Sequence, residues 1–446
     1  MTGTRNLILG AGLAGLSAAA CLPEDETLVL ERENEVGGLC RSREVNGFTF
    51  DCTGHLLHLK DPAIRDSVLC MLPHTFESVE RRSCIYSKGV TTGYPFQANT
   101  YGLPREVVRE CVVGFVEALL RREAQPPAPP AKDFREWVLS TFGQGIAKHF
   151  LFPYNEKLYR VDLREMECGW VSWSIPTPTL DEVVRGSLGM EVRGLGYNPR
   201  FLYPRRGGIQ VIPNALRERC GEIRLGATVR AIDLAGRKVT LASGEQVEYE
   251  RLISTLPLDA LLDRLEDAPE PSLVKARGKL RAVKVINLNL GVDREGILPG
   301  HWVYFPEPEF PFYRVGSPTN YSPGVAPRGC SSLYVEVARR RDEPLDLAAL
   351  EESVMESLQR AGILRAGDRI LAREVLVLDP AYVLYDHFRE RALPSILRIL
   401  DRYGVISTGR FGAWEYGSME SAMRQGRDAA LRLREGPRRA AGGRRR

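Results

Sequence analysis

Gly10, Gly12 and Gly15 space a G-x-G-x-x-G at the end of an apolar run over residues 6–9, and the small residues Leu16, Ser17, Ala18, Ala19 and Ala20 follow. A second apolar run, 27–30, ends in Glu31, about 20 residues after the first glycine. These residue types at this spacing suit one task, holding a dinucleotide. Gly10 permits a tight turn, Gly12 lets the backbone approach a pyrophosphate, and Gly15 lets a helix close on the strand. The helix start, with Leu13 and Ala14 in its first turn, offers open N–H groups and a positive dipole end to phosphates. Glu31 can accept from both ribose hydroxyls, which favours an adenosine ribose without a 2′-phosphate. An ordinary βαβ turn is the alternative.

The next residues bear on which dinucleotide it is. After Glu31-Arg32 comes Val36-Gly37-Gly38-Leu39-Cys40-Arg41-Ser42. Flavin enzymes of the glutathione-reductase-like class carry a second glycine pair here, close to the pyrophosphate, and NAD-only domains do not. A plain turn could also use Gly37-Gly38, but coupled to the first motif the pair selects FAD. Near the C-terminus a strand over 404–408 meets Gly409-Arg410-Phe411-Gly412, and a helix from about Ser418 to Arg434 follows, with Met419 and Ser421 near its start. That helix is expected to aim its N-terminus at the flavin ring or ribityl chain; another αβ turn is the alternative for 409–412. Val229 is a further expected cofactor contact.

With 446 residues and 43% hydrophobic content, the chain can bury a large core divided into two or three domains. A net charge of +4 is too small to argue for nucleic acid. The basic cluster Arg438-Arg439 and Arg444-Arg445-Arg446 reads as a disordered tail rather than a phosphate-binding arm. Nine cysteines without a C-x-x-C pair, and six histidines, show no metal-ligand spacing. Cys21, Cys52, Cys70, Cys111, Cys220 and Cys330 sit among apolar or small residues, as buried thiols do. No apolar run approaches the ~20 residues that span a bilayer, and no signal peptide is expected before the first strand. A soluble, reduced, cytoplasmic protein is expected.

The pattern along the chain is that of an α/β protein. A Rossmann-like FAD-binding domain of glutathione-reductase type is expected in three parts, 1–95, 205–280 and 393–436. A mostly helical insertion occupies 96–204, an antiparallel β-sheet substrate domain 281–392, and the basic tail 437–446. Within the insertion, 105–122 reads as a helix burying Val107, Val108, Cys111, Val112, Phe115, Leu119 and Leu120 on one face. The stretch 125–130, Gln-Pro-Pro-Ala-Pro-Pro, breaks it as a stiff connector, and helices are expected over 133–142, near 146–151 and near 180–186. Strands are expected over 224–232, 238–242, 245–249, 251–257, 283–290, 302–305, 312–315 and 333–337.

Several separate segments resemble the UDP-galactopyranose mutases and their relatives in the amine-oxidase/protoporphyrinogen-oxidase flavoprotein group. Phe50-Asp51-Cys52-Thr53-Gly54-His55 resembles the mutase loop that ends in a glycine and a histidine near the isoalloxazine. Tyr94-Pro95-Phe96-Gln97-Ala98-Asn99 with Gly102-Leu103-Pro104, Pro153-Tyr154-Asn155-Glu156-Lys157-Leu158-Tyr159, and Asn198 through Gly208 are similar to further family elements. So are Tyr304-Phe305-Pro306, Phe312-Tyr313-Arg314, Asn320-Tyr321-Ser322-Pro323 and the segment 409–416. The resemblance implies that reduced flavin N5 forms a covalent adduct with the anomeric carbon of a nucleotide sugar, or a related glycosyl compound, in a redox-neutral pyranose/furanose rearrangement. It implies that Arg314 holds a diphosphate, since a guanidinium fork suits phosphate oxygens. Tyr304, Tyr385 and Tyr416 would donate hydroxyls to the same phosphates, Asn320 would bind substrate, and His55 would sit beside the flavin. His55, Arg314 and Tyr385 form the expected catalytic set. Each lone histidine or tyrosine, taken by itself, also fits a structural role.

The chain departs from the family at two places. Where the mutases carry an arginine after the first tryptophan pair, Ser174 stands here, without the charge or planar fork. Glu420 replaces part of an asparagine-containing loop; it would repel a diphosphate if it pointed inward, or simply favour the start of the last helix. Both point away from UDP-galactose itself. Two other functions fit the same residues: an FAD oxidoreductase of the amine oxidase/protoporphyrinogen oxidase type acting on a secondary metabolite, and a flavin-binding scaffold without catalysis. The expected partner is a small molecule, with no nucleic acid or membrane, and a homodimer through the aromatic helical part is open.

Overall fold

The computed structural model describes residues 2–124, 131–171, 175–192, 199–266, 268 and 270–435. The connector 125–130, Ser174, Asn198 and the basic tail lie outside the described residues.

Two seven-stranded sheets carry the molecule. In the first, strand Thr2–Leu9 lies between Thr27–Leu30 and Gln246–Ser254, parallel to both, and Val405–Ser407 joins parallel to Gln246–Ser254. Thr27–Leu30 is buried along its whole length, as a strand covered on both faces must be. One face packs on Leu16 and Ala18 of helix Leu13–Ala19 and on Met423 and Ala430 of helix Met419–Glu435. The other packs on Leu393, Ile396 and Leu400 of helix His387–Arg402. The expected boundary at 393 thus falls inside one helix.

The second sheet runs, edge to edge, Ile370–Val383, Ala282–Val292, Ser331–Arg340, Arg314–Gly316, Trp302–Tyr304, Ser83–Ser87 and Val90–Gly93. Its pairs are antiparallel except Trp302–Tyr304 with Ser83–Ser87, which is parallel. Strands Ser83–Ser87 and Val90–Gly93 fall in the expected cofactor segment 1–95 yet belong to this sheet. Val90–Gly93 pairs with Ser83–Ser87 in a hairpin, but the other partner of Ser83–Ser87 lies more than two hundred residues away, and no local pattern announces that pairing. Hairpin Ser42–Val45/Phe48–Asp51 and pair Phe76–Glu80/Arg200–Pro204 were also not expected.

The helical part holds Arg105–Ala124, Phe134–Ile146, Phe152–Tyr159 and Leu180–Ser187, with a π-turn over Ala147–Leu151. Asp133 caps its helix by accepting from Glu136 N, and Thr179 and Glu182 form a capping box. Cys21, Cys220 and Cys330, expected to be buried, are only half-buried, and two further expectations of burial fail outright. Leu120 is 59% exposed, because helix Arg105–Ala124 turns Val107, Cys111, Gly114, Phe115 and Ala118 inward instead. Cys70 is exposed because its helix buries Ile64 and Val68, and a residue two positions on from Val68 faces away. Cys40, Cys52 and Cys111 are buried thiols, and all nine cysteines are free.

Candidate active site

The glycine loops meet as a cradle. Gly10 adopts φ +98°, and a Cβ there would lie 2.3 Å from Thr255 Oγ1. A Cβ on Gly15 would strike the Gly10 carbonyl at 1.9 Å, so that glycine is what lets the helix seat on the strand. Gly37 N donates to the Ala11 carbonyl (2.8 Å), and Gly38 lies against Gly12. The helix after Gly12 has no side-chain cap and no acid in its first turn, which leaves N–H groups for phosphate oxygens. Leu13 and Ala14 are buried, and Gly409 packs directly on Ala14.

Glu31 is held by Ala11 N (2.7 Å) on one oxygen and Glu33 N (3.0 Å) on the other; each oxygen keeps a lone pair for a ribose hydroxyl. The Glu31 carbonyl accepts from Ala227 N, which brings the segment leading into Val229 beside it. Arg32 points outward, paired with Glu33. Leu39 is half-buried and Cys40 buried at the second loop. Met419 is buried at the start of the last helix, where Ser418 Oγ accepts from Ser421 N (3.1 Å). These residues fit a flavin adenine dinucleotide: an open helix start, a close approach of backbone, and a carboxylate for the ribose.

The second sheet supplies the other wall. Along Ser331–Arg340, Leu333, Val335 and Val337 point one way, and Ser332, Tyr334 and Glu336 the other. Arg314 is the direct cross-strand partner of Glu336. Its Nε and Nη2 each donate to one Glu336 oxygen at 2.7 Å. Among the described residues, Nη1 of Arg314 makes no hydrogen bond. Burial opposes the charge on Arg314, but the Glu336 carboxylate keeps the guanidinium firmly protonated.

Tyrosines surround this pair. Tyr304 lies across from Arg314 on strand Trp302–Tyr304, with the Tyr94 ring at 5.5 Å and the Tyr154 ring at 5.6 Å. Burial raises the phenols of Tyr94, Tyr154 and Tyr334, and pushes Tyr382 up to about 12, so they stay protonated donors near neutral pH. Lys157, one turn beyond Tyr154, donates to the carbonyls of Phe305 (2.7 Å), Phe312 (3.3 Å) and Glu307. It thereby ties the helix to the turn between Tyr304 and Arg314.

His55 enters on the loop after strand Phe48–Asp51. Burial pushes its imidazole down to about 4, with the Arg410 and Arg314 charges adding to the shift. A neutral ring whose Nδ1 lies 3.2 Å from the Thr53 carbonyl carries its proton on Nδ1, leaving Nε2 an acceptor. Gly54 is required by the sheet: a Cβ there would meet Tyr334 Oη at 2.4 Å. Asn289 Nδ2 donates to the Asp51 carbonyl (3.1 Å), docking the loop on the same polar face.

From the C-terminal side, Arg410 donates to the carbonyls of Ala381 and Gly417 and lies 4.6 Å from the Tyr416 ring centre. Tyr382 and Tyr416 stack at 5.8 Å. The Tyr385 hydroxyl accepts from Tyr416 N (2.8 Å), so its proton remains free to donate. Arg389 sits 3.9 Å over the Tyr385 ring, and Trp170 packs against it.

The structure thus gathers His55, Arg314, Tyr304, Tyr385, Tyr416 and Arg410 from four regions of chain. It gives Asn320 a different job: its amide donates to the carbonyls of Leu298 (3.0 Å) and Gly300, which uses both its N–H groups to clip a loop. Glu420 points away as well, accepting from the backbone N–H groups of Lys60 and Asp61. Glu336 escaped the sequence reading, although polar residues at alternate positions of an aliphatic strand are a visible signal. Asn287 and Asn289 show the same alternation. Among the described residues no group of three or more histidines, cysteines and acids could hold a metal ion, and no helix is long and apolar enough to cross a membrane.

Comparison with known proteins bears on the family and the fold. The family model described as flavin containing amine oxidoreductase matches residues 13–433. A solved structure of reduced UDP-galactopyranose mutase superposes with a TM-score of 0.90 at 28% identity, covering 97% of this chain and 96% of that one. A putative protoporphyrinogen oxidase from Exiguobacterium sp. 255-15 gives 0.73 at 17% identity over 97% and 98%, a likeness of fold. The zeta-carotene-forming phytoene desaturase of Myxococcus xanthus is 25% identical over 399 residues, 77% of this chain and 73% of that protein. The chain belongs to the flavin-containing amine oxidoreductase family, is a UDP-galactopyranose mutase-like flavoprotein within that superfamily, and takes FAD as its cofactor.

Proposed function

We propose that the protein rearranges a nucleotide-linked sugar or related glycosyl compound without net redox change. The observation that carries this reading is Arg314: a guanidinium fixed on one side by Glu336, with Nη1 unused among the described residues and protonated phenols around it. Such an arrangement suits phosphate oxygens. The 28% identity to the mutase across nearly the whole of both chains supports it.

When bound, reduced FAD supplies an electron-rich ring nitrogen able to attack an anomeric carbon. The chain's own residues bind and orient. Arg314 takes the diphosphate, and Tyr304, Tyr385 and Tyr416 donate hydroxyls to it. His55, neutral and with Nε2 open, accepts a polar hydrogen beside the ring. Arg410, tied to the Ala381 and Gly417 carbonyls, lies next to that position.

The alternative is an oxidoreductase acting on an apolar metabolite, favoured by the 25% identity to the phytoene desaturase. One experiment separates them. The dithionite-reduced holoenzyme is incubated anaerobically with a panel of UDP-, GDP- and dTDP-sugars, and products are resolved by chromatography. A ring-isomerised sugar nucleotide with no loss of reductant supports the mutase reading. A parallel aerobic incubation of oxidised enzyme with an apolar polyene completes the test: turnover there alone, with oxygen uptake, replaces the mutase with the oxidoreductase.

A further inference from the structure

Glu336 is 1% exposed, and both its oxygens are spent on Arg314 at 2.7 Å. The two side chains face each other across adjacent strands in direct register. Two parallel bonds to Nε and Nη2 fix the plane of the guanidinium as well as its position, which a single contact cannot do. The donors left over, both on Nη1 and one on Nη2, must then point away from Glu336. Around them stand the rings of Tyr313 and Tyr334, with centroids 6.0 and 5.9 Å from Cζ. The charges within the pair cancel, so an anion is drawn to this spot by aimed N–H groups more than by net charge.

We propose that Glu336 is a positioning residue that aims the free edge of Arg314 at the oxygens of a pyrophosphate-bearing ligand. This rests on the anion-site reading of Arg314 given above. Glu336 itself touches neither substrate nor flavin; it acts through the arginine. Two substitutions separate aim from charge. Glu336→Asp keeps the charge but withdraws the carboxylate by one methylene, so it cannot span Nε and Nη2 together. Glu336→Gln presents an amide N–H where an acceptor is needed.

The test uses the FAD-loaded protein, with inorganic pyrophosphate and UDP as probes, by calorimetry. Arg314→Met, Glu336→Gln and Glu336→Asp should each weaken pyrophosphate binding about tenfold or more. The double variant Arg314→Met/Glu336→Gln should bind within about twofold of Arg314→Met alone, since the second change removes an aid to a group already gone. FAD content and melting temperature report on folding. If Glu336→Gln fails to hold FAD, Glu336→Asp carries the comparison against Arg314→Met. Pyrophosphate that does not bind, binds regardless of either residue, or binds the Asp variant like the parent overturns the proposal. So do losses that multiply in the double variant. If this pattern holds while no sugar nucleotide is isomerised, the mutase reading falls and the positioning role stands.

Discussion

The two faces of the second sheet are built from the same strands and solve opposite problems. On one face Ile286, Leu288, Leu333, Val335 and Val337 meet Leu350, Val354 and Leu358 of helix Leu347–Arg360. On the other, one residue along, stand Asn287, Asn289, Ser332, Tyr334 and Glu336, all 3% exposed or less. The first face is an aliphatic seal that asks only for volume and shape. The second buries polar groups that water no longer reaches, and each must find a partner or lose stability. Glu336 finds Arg314, and Asn289 finds the Asp51 carbonyl and Glu374. A fold that needed only a core would use the first solution twice. The polar face is the wall that, in the function proposed above, holds the ligand.

Breaking that face should cost most. Glu336→Leu leaves the Arg314 charge without its counter-ion, at roughly 3–5 kcal/mol of unfolding free energy, whereas Arg314→Met/Glu336→Leu together should recover most of it. Denaturant titration of the holoenzyme measures both, and a double variant as unstable as the single one contradicts the account. On the sealing face, Leu358→Ala should lose roughly 2–5 kcal/mol by opening a cavity. Unlike the polar-face changes, it should leave pyrophosphate affinity unaltered; a change in affinity would blur the division between faces. Gly54→Ala drives a methyl into Tyr334, an overpacking worth roughly 1–3 kcal/mol. It should also displace the His55 loop, visible as an altered flavin absorption spectrum, while Gly3→Ala, with nothing within 4 Å, should do neither.

The last effect appears only on acidification. His55 falls from about 6.5 unfolded to about 4 folded. The unfolded chain therefore binds more protons between those values, and stability contributed by the neutral ring is lost as pH falls through them. Asp51 has the opposite sign: burial raises it to about 6, so its contribution declines as pH rises from about 4 to 6. His55→Asn should gain on the parent by at most about 1.4 kcal/mol for each pH unit below 6.5. Paired urea titrations at pH 4.5 and 7 give the difference, and an equal gap at both would rule out a buried neutral imidazole.

Much of this was legible in order of locality. The glycines at 10, 12 and 15, the acid at 31 and the pair at 37–38 lie within thirty residues, and each works through backbone conformation or a near neighbour. Strands over 283–290 and 333–337 were visible as apolar runs, and the structure extends both. The polar alternation inside them, Asn287/Asn289 and Tyr334/Glu336, was present and went unread. The hairpin Ser83–Ser87/Val90–Gly93 was invisible as part of this sheet, because what places it there is the edge of Trp302–Tyr304 pairing with Ser83–Ser87. Asn320 carried a substrate role by its motif, yet its amide answers two carbonyls 20 and 22 residues back. Glu420 was ambiguous between repelling a diphosphate and favouring the helix start, and only its bonds to the distant 60–61 backbone resolved it.

The amino-acid order by itself determined the cofactor cradle, since turn, helix start and ribose acid follow from residue types a few positions apart. Only the tertiary structure decided the proposed anion site. Its parts come from 55, 154, 304, 314, 336, 385 and 416, and the aim of Arg314 exists only when Glu336 faces it across two paired strands. Local propensity cannot set such register; burial of the sheet's two unlike faces does.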